Sequence, residues 1–313
     1  MLRNLAGRIR QPALAFVRRA QSSVAAEAPA EAAKALGKPS SLLDIGLAGG
    51  MLGGLVGLGA HGGAIMQPAM MRAGYSAALA AGTASVAVVA IGISSTVAFG
   101  SSGKIDWLSA GTISFWALVG ARYGRVLTGR IDPSGIYLQR AFGLFQIALA
   151  PMVPAKAWYA KEEAKKAALA RKSSHGGTTT FEWGNTYNKA YQQFAKIIEL
   201  AVVGTAAGAA FGMLGVGGGI VITPALCLIT DLPHSTVLGT TLAAMLPPSV
   251  IQMYGHLSTG NVAKGIFPLL IATSAGAYFG GKLACEADEE TLQFGFAVLV
   301  FALGGRRLLN PLS

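Results

Sequence analysis

Two short stretches hold the residue types that could do chemistry in this chain. Gly215-Val216-Gly217-Gly218-Gly219-Ile220-Val221-Ile222-Thr223-Pro224 lies in a run with no charged residue from Leu200 to Thr230. Gly59-Ala60-His61-Gly62-Gly63-Ala64-Ile65-Met66-Gln67-Pro68 aligns with it position for position, at an offset of 156 residues from Gly63 to Gly219. Neither composition suits a continuous buried helix, because glycine loosens a helix and proline removes a backbone donor. Such a break offers chemistry through its backbone. Successive glycine amides, with the positive end of the half-helix that starts beyond them, make an anion-binding concavity without a charged side chain. Hydroxyl donors stand nearby in otherwise apolar runs: Thr83 and Ser85 in the first half, Thr240 and Thr241 in the second. Such hydroxyls commonly bond back to the preceding turn or across to a neighbouring helix. We assign that structural role to Ser85 and an anion-donor role to Thr240.

The elements that must position these groups are membrane segments. Mean hydropathy is +0.51, with 52% hydrophobic and only 12% charged residues. Uncharged stretches run from Ile45 to Met71, Ala73 to Gly103, Trp107 to Ala121 and Ala141 to Ala155. The same order returns from Leu200 to Thr230, Leu232 to Ala263, Gly265 to Gly281 and Thr291 to Gly305. A spanning helix needs roughly 20 apolar residues, so about seven to nine segments are expected. The two sets match beyond the glycine clusters. Gly82-Thr83 aligns with Gly239-Thr240, Gly103 with Gly260 and Gly124 with Gly281, all 157 residues apart. The expected fold is an all-α polytopic membrane protein of two homologous repeats, each of about four membrane segments with a glycine-rich, proline-containing broken helix.

The expected organisation is a leader over residues 1–30, a first repeat over 41–155, a linker over 156–196 and a second repeat over 197–310. Residues 1–30 are arginine- and alanine-rich with no acid before Glu27, the composition of a mitochondrial presequence; a disordered basic tail and a plastid transit peptide are the alternatives. In the linker, Lys156 to Lys172 reads as a charged, alanine-rich helix, and Tyr187, Tyr191 and Phe194 share one helical face. Gly46, Gly49, Gly50, Gly53, Gly54 and Gly57 recur at three- and four-residue spacing, which lets helix backbones approach closely in lipid. The segment from Leu42 to Met71 either crosses the membrane as a broken helix or enters and returns as a hairpin. Four crossings per half give parallel repeats, and three give inverted ones.

At Gly215-Val216-Gly217-Gly218-Gly219 with Thr223-Pro224, the duplicated copy at Gly59 to Pro68, and the Gly-Thr of each second helix, the chain resembles the TauE/SafE sulfite exporter-like permease family. The resemblance covers about Leu42 to Leu309 apart from the linker. It implies export of small inorganic or organosulfur anions by alternating access. By the same resemblance Gly217, Gly218, Gly219, Thr223 and Pro224 line the site, joined by Gly62, Gly63, Gln67 and Pro68; the hydroxyls of Thr240 and Thr83, read from their place in apolar runs, are added to these as donors. The copies differ where His61 stands against Gly217 and Gln67 against Thr223. His61 either binds the anion or carries a coupled proton when charged, or it fills space and bonds a helix end.

Other function classes lack their residues. Gly57-Leu58-Gly59-Ala60-His61-Gly62 fits a dinucleotide fingerprint, but no acid follows until Asp106, where the fingerprint wants one about twenty residues on. There is no phosphate loop and no metal or zinc spacing, and Cys227 and Cys285 form no CxxC pair. Neither an enzyme nor a cofactor or metal protein is expected. The formal charge of +11 is no sign of nucleic acid, because Arg3, Arg8, Arg10, Arg18 and Arg19 all belong to the leader. The expected partners are the anion and membrane lipid, in the mitochondrial inner membrane or another cellular membrane. The rival assignment is a non-transporting structural or assembly subunit of an inner-membrane complex that retains the permease fold.

Overall fold

Long uncharged runs with little periodicity should fold as helices that satisfy their own backbone in lipid. The computed structural model describes residues 39–57, 62–131, 136–156, 158–159, 162, 166, 185–214 and 218–309, and among them it is all helical, with no strand. In chain order the helices are α1 Pro39–Leu55, α2 Gly62–Arg72, α3 Ala77–Ser101, α4 Trp107–Ile131, α5 Ile136–Leu149, α6 Asn185–Leu214, α7 Gly219–Ile229, α8 His234–Ser258, α9 Phe267–Glu286 and α10 Glu289–Leu309. The expected leader, His61 and Gly217 lie outside the described residues. α6 runs uninterrupted through residue 197, where the second repeat was expected to begin.

Among the described residues five helices are long and apolar enough to cross a membrane: Ala77–Ser101, Ile136–Lys156, Phe194–Met213, His234–Ser258 and Glu289–Leu309. α4 and α9 are also of spanning length but less apolar, α4 carrying Arg122, Arg125 and Arg130. Large apolar side chains such as Val97, Phe115, Phe279 and Phe301 are exposed on the outside of the bundle, a surface suited to lipid. The chain is a multi-pass membrane protein.

α1 and α2 form a hairpin. A Cβ on Gly49 would lie 2.6 Å from Met66 Cε, and Leu42, Met66 and Met70 share one core. In a straight broken helix Gly49 and Met66 would be roughly 25 Å apart. α6 and α7 fold back in the same way, with Ala207 and Phe211 packed with Ile222 and Leu226. Pro68 and Pro224 lie inside α2 and α7 rather than at the interruptions. Helices of 11 residues have few i→i−4 bonds for a proline to remove.

Each hairpin is sealed by glycine. Cβ atoms on Gly46, Gly50 and Gly54 of α1 would fall 2.3–2.7 Å from the carbonyl oxygens of Leu269, Thr273 and Ala277 on α9. On the other seam, Gly204, Gly208 and Gly212 of α6 meet Ile113, Ala117 and Ala121 of α4 at 2.1–2.7 Å. The packing role expected for the α1 glycines therefore holds along this seam.

α3 and α8 pack on each other as antiparallel helices of 25 residues each. Thr83 Oγ1, near the start of α3, accepts a 2.9 Å hydrogen bond from the Ala263 amide just past α8. Thr240 Oγ1, near the start of α8, accepts one of 2.9 Å from the Asp106 amide just past α3. The adjacent glycines tighten the same two contacts. A Cβ on Gly82 would stand 1.7 Å from Asn261 O, and one on Gly239 would stand 2.2 Å from Lys104 O. Each turn reaches its corner through a left-handed glycine, Gly103 at φ 67° and Gly260 at φ 71°.

Charged groups finish the helix ends. Lys156 Nζ donates to the carbonyl oxygens of Cys227 (2.5 Å), Leu228 (3.1 Å) and Thr230 (3.1 Å), closing the C-terminus of α7. Glu289 accepts from the amide of His234 at 2.5 Å and from Ser235 Oγ at 3.0 Å, a carboxylate at the positive end of α8. His234 itself stacks edge-on against Phe296, 5.7 Å between ring centres.

Candidate functional site

The hairpin tips meet near the middle of the bundle. Gly57 ends the first arm at φ 67°, and a Cβ there would lie 2.5 Å from Leu238 Cδ2, so only glycine fits by both conformation and space. Opposite it, α7 starts at Gly219 behind Gly218, an N-cap with no side-chain hydrogen bond. A Cβ on Gly219 would be 3.3 Å from Thr241 Cγ2 and 3.8 Å from Gly57 O. The amides of Val221 and Ile222 both donate to Gly218 O at 3.0 Å, and the positive end of α7 starts at the cavity wall.

A small cavity lies between these tips, walled by Gly57, Gly219, Gly92 on α3, and Thr241, Met245 and Ser249 on α8, with Val88, Leu242 and Leu246. The lining residues of α3 and α8 sit in the central turns of those helices, so the cavity is at mid-depth of the membrane span. Its volume is ≈ 10 Å³, room for about one water. Its polar equipment is hydroxyl and backbone. Thr223 Oγ1 and Thr241 Oγ1 are hydrogen-bonded at 3.2 Å, both side chains being buried, and a hydroxyl pair of this kind keeps one proton for a further acceptor. Ser249 Oγ donates back to Met245 O at 2.8 Å, as serines in apolar helices do.

Among the described residues the wall offers hydroxyls and backbone groups and no carboxylate, a lining that suits a small anion once the cavity widens. Comparison with known proteins agrees in class. The family model described as "Sulfite exporter TauE/SafE" matches residues 12–183 and 200–313. The chain belongs to the sulfite exporter TauE/SafE family. Curated relatives match it over most or part of its length. The probable membrane transporter protein YunE of Bacillus subtilis is 27% identical over 259 residues, 80% of this chain and 88% of that protein. A probable membrane transporter protein of Xylella fastidiosa is 26% identical over 276 residues, 84% and 93% of the two chains. One from Haemophilus influenzae is 30% identical over 125 residues, 37% and 47%. No solved structure matches the chain.

The candidate site residues fall into four groups. Gly219 is in the cavity wall. Gly218 and Thr223 back it: a Cβ on Gly218 would lie 3.1 Å from Met245 Cε and 2.8 Å from Ala207 O, and Thr223 holds Thr241. Pro224 is buried one residue behind Thr223. Thr83 and Thr240 stand instead at the two ends of the α3–α8 pair, each holding a turn from the opposite half of the chain. Gly62 and Gly63 open α2, and Gln67 and Pro68 are half-buried further along it; neither Gln67 nor Pro68 is among the described cavity residues.

Sequence reasoning missed Gly57 and Gly92 as wall residues, and with them Met245 and Ser249. The one available signal was the first-half glycine ladder, where Gly57 continues the packing series and so looks like its neighbours. Pro247-Pro248 in the middle of α8 also went unremarked, though two prolines in a spanning helix are a local departure that sequence displays plainly.

Proposed function

We propose that this protein is a permease for small sulfur-containing anions, sulfite or an organosulfonate, that works by alternating access around the cavity between the two hairpin tips. The observation that carries the reading is the meeting of Gly57 and Gly219, one from each half of the chain, at mid-depth. Interrupted helices facing each other at the midplane are the arrangement in which transporters bind substrate. The cavity in this conformation is far smaller than a sulfite ion, so the conformation is a closed one, and binding requires the tips to part.

The halves are inverted repeats. Two observations support this: each glycine break lies in a hairpin that enters and returns, leaving three crossings per half, and α3 and α8, matching helices of the two halves, run antiparallel. The reciprocal bonds at Thr83 and Thr240 then lie at opposite membrane faces. Breaking one while keeping the other opens the central cavity to one side only, which is the requirement of alternating access.

The leader-like N-terminus supports a mitochondrial inner-membrane location, with the anion leaving the matrix. With the matrix negative, an exiting anion gains roughly 2.3 kcal/mol per charge per 100 mV.

The test is flux of radiolabelled sulfite, with sulfate and a carboxylate as controls, in liposomes holding the purified protein from Ser22 onward. Sulfite-selective flux lost in a folded Gly218→Val variant supports the permease and its site. No flux of any anion from folded protein overturns it and leaves the non-transporting subunit of an inner-membrane complex.

A further inference from the structure

The end of α7 and the starts of α8 and α10 meet at one histidine. His234 is 2% exposed, and its Nε2 has no hydrogen-bond partner among the described residues. Its Nδ1 stands 3.4 Å from Cys227 Sγ at the end of α7, and its ring lies edge-on to Phe296 of α10. Neither neutral tautomer satisfies this ring. Whichever of Nδ1 and Sγ donates to the other, Nε2 is left as an unpaired N–H or an unpaired lone pair.

A protonated ring is no better served in this conformation, because both nitrogens then donate and a thiol is a weak acceptor. The charged and titratable groups at the junction are Cys227 on α7, Lys156 after α5, Asp231 before α8 and Glu289 on α10. Lys156 Nζ donates to Cys227 O and lies 3.8 Å from the exposed Asp231 carboxylate, so it brings positive charge to the same corner as the N-terminal end of α8. Glu289 offers the opposite charge, yet its oxygens already accept from the His234 amide and from Ser235 Oγ. A proton on the ring therefore favours a conformation in which the nitrogens reach water or draw Glu289 away from those donors. Either change separates the end of α7 from the start of α8. α7 is the arm whose Gly219 walls the central cavity, and Thr240, which holds the turn after α3, follows within two turns along α8.

We propose that His234 is a proton-binding site whose occupancy releases α7 from α8 and opens the central cavity toward the Thr240 face. The opening of a transport cavity rests on the permease reading above, whereas the proton site and the release of α7 do not.

Cys227 reports the release directly. The experiment uses the full chain in nanodiscs with Cys285→Ser, which leaves Cys227 as the single thiol, and measures its alkylation by a maleimide from about pH 7.5 to about pH 5.5, across the ordinary histidine range. Each rate is divided by that of an exposed reference thiol, Thr259→Cys in a protein with both native cysteines replaced by serine. The ratio is expected to rise about fivefold or more as pH falls, and to stay within about twofold in His234→Gln, which remains polar and cannot take the proton. Phe296→Leu loosens the same packing but keeps the imidazole, so it should retain the rise. A pH-independent ratio in the wild type, or a rise that persists in folded His234→Gln, overturns the proposal. So does a flat profile in Phe296→Leu, which would assign the junction to packing alone. Flux separates this from the permease reading. Sulfite flux with a pH-independent ratio removes the proton site and keeps the permease, and a His234-dependent rise without any flux removes the permease and keeps the site.

Discussion

Gly218 is held between Ala207 O and Met245 Cε, and those two contacts give different outcomes to different substitutions. The 2.8 Å approach to a backbone oxygen leaves no slack, whereas the methionine end can move. Gly218→Ala should fold with reduced flux, and Gly218→Val should lose at least tenfold in flux while still eluting as a folded monodisperse protein. Thr241→Val keeps the shape of the wall and removes the hydroxyl that the cavity has available. It should lower sulfite affinity about tenfold, on the order of 1.4 kcal/mol for one hydrogen bond, with little change in melting temperature. A Thr240→Val variant with that same affinity loss and an unperturbed fold would overturn this assignment. The hydroxyls also show what could be read at this scale. That threonines stand in an apolar span was visible in the sequence. Which of two neighbours faces the cavity was not, because successive residues on a helix point about 100° apart and the helix rotation is set by packing.

At the scale of elements, the hairpins depend on close backbone seams and on capped ends. Gly208→Val would place a Cβ 2.1 Å from Ala117 O, with no side chain there to yield. The α4–α6 seam must then spread, and a loss of roughly 2–4 kcal/mol or failure to fold is expected in thermal unfolding. Gly111→Ala, at an open position on α4, should be tolerated and is the matched control. Lys156 ties the chain after α5 to the end of α7 through three carbonyl oxygens. Lys156→Met should cost roughly 1–3 kcal/mol, the range for hydrogen bonds to a charged group, with the lower end favoured because the side chain is a third exposed. Helix positions were legible because uncharged runs are their own signature. The reversal at each glycine break was not, since the same residues serve a straight broken crossing, and only the contact of Gly49 with Met66 decides between them.

The whole molecule is organised by two reciprocal contacts, and they predict opposite responses. Thr83→Val frees the turn after α8, and Thr240→Val frees the turn after α3. Each should bias the protein open toward its own face, so an impermeant thiol reagent should reach a cysteine at Ser249 from opposite sides in the two variants. Single cysteines at Ser101 and Thr259, in a protein with Cys227 and Cys285 replaced by serine, should label from opposite sides of the membrane. Labelling of both from one side would refute the inverted arrangement.

The sequence by itself determined that this is a multi-pass helical membrane protein of the TauE/SafE family, because hydropathy and the glycine-proline clusters are local properties of the chain. It also carried the matched spacing of Gly82-Thr83 and Gly239-Thr240, which identifies corresponding positions without saying what they touch. Tertiary structure decided that Thr83 and Thr240 each hold a turn from the other half and that Gly57 meets Gly219. These are contacts between residues more than a hundred positions apart, and no local pattern encodes them. They arise only when helices select partners by how closely their backbones can approach.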